Sequence, residues 1–377
     1  MPESSAFPRR AGNGGSVFLL ALLAGLAAYF LVVRWFGADD DPVDRGFQVM
    51  NTHARVVVPE GTSEFPPSKL ADMAVAAIRE VDRLMSPFGE ESDVRRLNAA
   101  EAGEWVEVSP ETWTVVMDAL RWHRLSGGAF DPTIGPLKRL FRFDGGELRA
   151  WPDETALAEA RSKVGAQKLR FEREGMRLIR ERPGMLLDLG AIAKGYAVDR
   201  AIEVLLRENV ASALVEVGGE IRTIGMKGGP GGRPWRTGVR DPRKDDVLAV
   251  MEMSGGAVAT SGDYESFFLF DGKRYQHIID PRTGMPLTGA AASVTVRHPT
   301  SCMAADALAT TLVVLGPDAG AEFLRGQALG LFSEGVEVDM LFLGEGDSLK
   351  RIFMSVDREG NFSSPKETPV EGWGVAG

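Results

Sequence analysis

The order in which helical and extended segments follow one another constrains this chain most. From about Phe47 onward, helical stripes and short apolar runs alternate without a regular βαβ rhythm. That order argues against a simple doubly wound sheet. Residues 68–85 place Leu70, Met73, Ala74, Ala77, Ile78, Val81 and Leu84 on one stripe, as in an amphipathic helix lying on a core. SPETW opens a second helix with Ser109 as N-cap and Pro110 in the first turn, and Gly127 and Gly128 end it. Two apolar runs flanking REGM between Lys168 and Leu187 read as a hairpin. Strand character recurs at 213–224, 247–253, 257–260, 274–279 and 293–296, with further helices expected at 303–315 and 319–324. With 377 residues, 44% of them hydrophobic, the chain is long enough for a sizeable core. The expected class is α/β of the α+β type: mixed, largely antiparallel sheets with flanking helices.

Charge and cysteine usage remove several functions. A net charge of −10 with no clustered basic face excludes nucleic acid as a partner. The single cysteine, Cys302, leaves no intrachain disulfide and no cysteine-based zinc site. The histidines at 53, 123, 277 and 298 stand too far apart for a paired metal motif. At the N-terminus, Arg9 and Arg10 precede an apolar run, Val17 to Val33, followed by Trp35 and Phe36. The run reads as an uncleaved membrane anchor or a cleaved signal peptide, and the absence of a clean small-x-small site favours the anchor. Arg9 and Arg10 on the cytoplasmic side leave the rest of the chain outside the cytoplasmic membrane. The expected division is an anchor and linker at 1–45, one catalytic domain at 46–360 and a loosely ordered tail at 361–377.

Three clusters carry chemistry. In DLGAIAKGYAVD, from Asp188, an apolar strand turns into a helix, bringing free backbone N–H groups, the Asp188 carboxylate and the Lys194 ammonium to one helix start. Such a start attracts anions, while the plainer reading is a capping Asp188 and a solvated Lys194. In MAADALATT, Asp306 and Thr310 are four residues apart and share a helix face, which suits a hard cation such as Mg2+, or else is simply a polar pair. In YQHIIDPRTGMP, His277 stands in an expected strand leading to a turn, a candidate general base or a structural histidine.

These clusters sit among eight ordered blocks: MNT at Met50, SPFGEESDVRRLN from Ser86, GGAFDPTIGPL from Gly127, DLGAIAKGYAVD from Asp188, VEVGGEI from Val215, ATSGDYE from Ala259, HIIDPRTGMP from His277 and MAADALATTLVVLG from Met303. In that order they resemble the FAD:protein FMN transferase (ApbE-like) family. The resemblance implies two subdomains around a cofactor cleft, with Mg2+ and FAD bound. It implies transfer of FMN to a threonine of an acceptor protein, release of AMP, and a membrane redox subunit as the acceptor. It assigns FAD contacts to Met50, Phe88, Ala129, Phe130, Asp131, Asp188, Lys194 and Ile279. It gives the metal to Asp306, Thr310 and the Ala191 carbonyl, and the base to His277.

Three departures stand out. Asn51 replaces a glycine, Phe88 replaces a common tyrosine, and no cysteine follows the apolar run to carry the lipid found in many relatives. Water as the acceptor would make the chain an FAD pyrophosphatase, and a non-catalytic flavin-binding module of a membrane redox complex is a further alternative. TSGD around Ser261 lacks the hydrolase elbow and reads as a turn.

Overall fold

A computed structural model describes residues 43–141, 148, 150–263, 266–328, 330–343, 348–368 and 370. The expected anchor lies outside the described residues. The chain opens with a hairpin of Asp44–Val49 (β1) and Thr52–Val57 (β2), then helices Pro67–Met85 (α1) and Asp93–Ala99 (α2). Strand Val106–Glu107 (β3) precedes Pro110–Leu125 (α3), Gly135–Phe141 (α4) and Glu154–Ser162 (α5). Next come the expected hairpin, Leu169–Glu172 (β4) with Arg177–Arg180 (β5), and helix Ala193–Arg207 (α6). Ala213–Val217 (β6) and Glu220–Ile224 (β7) lead to Trp235–Arg240 (β8), Val247–Met253 (β9) and Gly256–Gly262 (β10). Two short hairpins follow, Phe267–Phe270 (β11) with Lys273–Gln276 (β12), and Ile279–Asp280 (β13) with Met285–Pro286 (β14). Ser293–His298 (β15), helix Cys302–Gln327 (α7), Val336–Leu343 (β16), Leu349–Val356 (β17) and Phe362–Thr368 (β18) complete the described elements.

A nine-stranded sheet in the order β1-β2-β6-β7-β10-β15-β16-β17-β18 organises the molecule, antiparallel at each pairing. Helices α1, α6 and α7 lie against it. Their apolar stripes (Leu70, Ala74 and Ile78; Ala197, Ala201 and Ile202; Ala305, Leu308 and Leu312) join Val56, Val215 and Val294 in the main core. Burying each of the valine, leucine and isoleucine side chains is worth about 1.5–3 kcal/mol, which far outweighs intrinsic helix propensity. Helix α7 is also long and apolar enough to cross a membrane, but it belongs to this core.

Four expectations need correction. Met185–Gly190 is not a strand. Leu186 makes one parallel bridge to Ile134, and the Asn98 side chain takes both backbone groups of Leu187, donating to its carbonyl at 2.8 Å and accepting from its N–H at 2.7 Å. His277 is not in a strand either: it occupies the bend between β12 and β13. Ser261 lies within β10, not in a turn. The tail is ordered where it begins. Residues 362–368 pair with β17, and the Arg325 guanidinium lies over the Phe362 ring at 4.9 Å. The two expected C-terminal helices meet end to end in α7 through Gly316, at φ 71°, just before Pro317.

Candidate active site

The site grows from the crossing of α6 and α7. Where they meet, an added Cβ at Gly195 would stand 2.4 Å from the Cys302 carbonyl oxygen, so only glycine fits. The close approach lets Asp306 reach across from α7 and accept the Gly195 N–H at 3.0 Å. The positive end of α6 therefore faces a fixed carboxylate, and Ala193 N–H is already donated to the Leu189 carbonyl. This revises the expectation of free donors at that helix start. The next i→i−4 bond of this kind runs from Tyr196 N–H to the Ile192 carbonyl. Gly195 N–H, four residues on from Ala191, goes to Asp306 rather than to the Ala191 carbonyl. One turn along α7, Thr310 Oγ1 is 3.1 Å from Ser261 Oγ of β10.

Asp188 and Lys194 do not pair with each other. Lys138 of α4 donates to both oxygens of Asp188, at 3.0 and 2.9 Å, and Gly190 N–H donates to Oδ1 at 2.9 Å. Burial alone would raise the Asp188 carboxyl; the Lys138 ammonium and the Gly190 N–H outweigh it and hold the group below the usual range. Lys194 donates to buried Glu220 of β7 at 2.6 Å. The cation in the glycine- and alanine-rich junction answers an acid 26 positions away.

His277 lies among these charges. Its Nδ1 is 3.1 Å from the Ser266 carbonyl oxygen, and a carbonyl only accepts. Nδ1 therefore carries the proton and Nε2 presents its lone pair. Burial first, then the Lys138 ammonium, push the imidazole down to about 4; Lys194 adds to this, while the Ser266 carbonyl and Asp188 act the other way. The result is a neutral base at physiological pH.

The other expected contacts are more dispersed. Met50 and Asn51, with φ of 50° and 58°, form the two-residue loop of the β1–β2 hairpin, a left-handed pair that asparagine tolerates better than most residues. Asn51 thus supplies the backbone shape that glycine would. Phe88, 75% exposed, projects from the loop after α1, where Arg95 Nη1 donates to its carbonyl. Ala129 and Phe130 are buried, so a ligand reaches this stretch through backbone. Asp131 accepts from the Thr133 N–H and hydroxyl and from Ala166 N–H, and His123 Nδ1 lies 3.3 Å away. Its carboxylate is engaged within the protein. Ile279 is buried, its backbone in β13. Cys302 is buried, and burial first of all pushes its thiol well up, which makes it no nucleophile.

Residues 50–332 match the profile of the ApbE family. The chain belongs to the ApbE family. An FAD:protein FMN transferase of Vibrio cholerae is 40% identical over 247 residues, 64% of this chain and 72% of the relative. One from Klebsiella pneumoniae is 35% identical over 291 residues, 76% and 82% of the two chains. The crystal structure of the ApbE protein of Thermotoga maritima superposes with a TM-score of 0.71 at 34% identity, covering 82% of this chain and 96% of that one. The flavin transferase ApbE of Vibrio cholerae gives 0.72 at 32% identity, with the same coverage. The antiparallel α+β architecture is thus that of ApbE flavin transferases.

Sequence reasoning passed over Lys138 and Glu220 and placed Ser261 in a turn. Glu220 stood inside the VEVGGEI block as an acid among apolar residues, a usable signal. Lys138 in GPLKRLF carries none that local spacing reveals. The candidate metal donors around the α6–α7 crossing are the Asp306 carboxylate, the Thr310 hydroxyl and the Ala191 carbonyl. Groups of three His, Cys, Asp or Glu able to hold a metal are absent among the described residues. Such a sparse, all-oxygen set suits Mg2+, which keeps waters and phosphate oxygens in its shell, and is a poor fit for zinc.

Proposed function

We propose that this ApbE-family chain is an FAD:protein FMN transferase that moves the FMN moiety of FAD onto a threonine hydroxyl of an acceptor protein and releases AMP. The observation that carries the reading is His277. It is a neutral imidazole with a fixed tautomer, beside Lys138, Lys194 and Asp188 and near the α6–α7 crossing that presents Asp306 and Thr310. The threonine oxygen bonds to the phosphorus on the FMN side of the diphosphate, and the bond from that phosphorus to the bridging oxygen breaks. AMP leaves with the bridging oxygen, and the hydroxyl proton passes to His277 Nε2. Lys194, steadied by Glu220, brings positive charge to the anionic dinucleotide. Phe88 offers an exposed ring for stacking against the isoalloxazine. Asp306, Thr310 and the Ala191 carbonyl would hold Mg2+, which when bound screens the phosphate charge.

The apolar run at 17–33 supports a single-pass anchor in the cytoplasmic membrane with the catalytic domain on the periplasmic side, and hence a membrane redox subunit as acceptor. The test is incubation with FAD, Mg2+ and a threonine-bearing acceptor. Transfer yields AMP together with flavin fluorescence that stays on the acceptor in a denaturing gel. AMP with only free FMN would make water the acceptor, and bound flavin without AMP would remove the enzyme reading.

A further inference from the structure

Lys138 lies outside every sequence motif that led to the site, yet the fold brings it to the centre. The segment from Pro132 to α4 runs alongside 186–188. Asp188 N–H donates to the Pro132 carbonyl at 2.7 Å, and Ile134 bridges Leu186 in parallel. Gly135 packs so tightly that an added Cβ would stand 2.8 Å from Leu186 Cβ. This zipper fixes the start of α4 one turn before Lys138 and sets its ammonium over both oxygens of Asp188. The ion pair faces outward, with Lys138 34% and Asp188 20% exposed. Gly190 is itself exposed, and a Cβ there would lie 3.1 Å from Asp188 Oδ1 and 3.5 Å from Lys138 Nζ, so both members of the pair border the bare backbone.

We propose that Lys138 is a positioning residue for the transfer reaction: it fixes the Asp188 carboxylate by both oxygens and sets, together with Lys194, the positive charge that His277 faces. The inference rests on the transferase reading above. The groups facing His277 are Lys138 from α4, Lys194 from α6, Asp188 from the 185–190 segment and the Ser266 carbonyl. Removing Lys138 takes one cation away and leaves Asp188 unneutralised. Both changes favour the protonated imidazole, so base function is lost at a higher pH.

The experiment compares K138M and K138R with the unaltered full chain in two assays: FAD binding by flavin fluorescence without acceptor, and kcat/KM for AMP release against pH. K138M is expected to weaken FAD binding by roughly two- to fivefold and to move the acid limb upward from about 4 toward the ordinary histidine value of 6.5. K138R, which keeps the charge, restores both. Folded K138M with unchanged FAD affinity and an unmoved limb overturns the proposal. So does an equal loss in K138M and K138R with no shift of the limb, because that pattern is structural. Should K138M fail to fold, K138Q replaces it; if neither folds while K138R does, the pair is only a folding element and the proposal is overturned. If the unaltered chain binds FAD but releases no AMP, the transferase reading fails, while the FAD-binding arm still reports on Lys138.

Discussion

At the scale of single residues, protonation states decide the chemistry. His277 is held down to about 4 chiefly by burial and by the Lys138 ammonium. A base must be neutral to accept a proton, so kcat/KM should stay level from pH 8 down to about 5 and fall only as pH drops through about 4. A pH–rate profile measured on the free enzyme checks this, and a limb at the ordinary value of 6.5 would contradict it. Asp306 makes a second case. Asp306→Asn keeps an oxygen for the Gly195 N–H but removes the charge, so the fold should survive while Mg2+-dependent transfer falls by roughly 100-fold or more. Far-UV circular dichroism and AMP release, measured together, separate the two effects. The candidates themselves stood in the sequence: the 306/310 spacing, the histidine, and the lysine in a glycine-rich junction. The counterions were not legible there. Lys194 meets Glu220 and Asp188 meets Lys138 across 26 and 50 positions, through strand order and a helix packing that no local pattern encodes.

At the scale of elements, the α6–α7 crossing holds the parts in register. Gly195→Ala should push the helices apart, because its methyl would stand 2.4 Å from the Cys302 carbonyl oxygen. Overpacking of this kind costs about 1–3 kcal/mol or more, and denaturant unfolding should show it along with weakened Mg2+ dependence. Asp199 of α6 caps α7 from outside: Cys302 N–H and Met303 N–H donate to it at 2.9 and 3.0 Å, and Arg222 Nη1 at 2.7 Å. Asp199→Ala leaves these buried donors unmatched and should cost about 2–3 kcal/mol, again read by denaturant unfolding. The helices were legible because apolar stripes and caps are local signals, as with Ser109 before α3. The 185–190 segment misled because its apolar run looks like a strand, while the Asn98 side chain takes the backbone bonds a strand partner would make. The strand at 362–368 hid for the opposite reason: its polar sequence offers little but backbone to the edge of β17.

At the scale of the whole molecule, the nine-stranded sheet explains how sites far apart in sequence converge. Strands β7 and β10, adjacent in the sheet, bring Glu220 and Ser261 beneath the two helices that carry Lys194, Asp306 and Thr310. The first strand begins at Asp44, so a chain lacking residues 1–42 should fold and transfer FMN like the full chain. It should also stay in the supernatant when the full chain sediments with membranes. Co-sedimentation of both with membranes would refute the anchor reading. The central proposal is that Asp306 and Thr310 of α7, with the Ala191 carbonyl ahead of α6, would hold the divalent ion that transfer needs. Its most direct test is mass spectrometry of the acceptor after incubation with FAD across a Mg2+ titration, comparing the unaltered chain with Asp306→Asn. An added FMN, less one water, is expected on a threonine at low Mg2+ with the unaltered chain, and almost none with the variant. Equal modification by both proteins in limiting Mg2+ would contradict it.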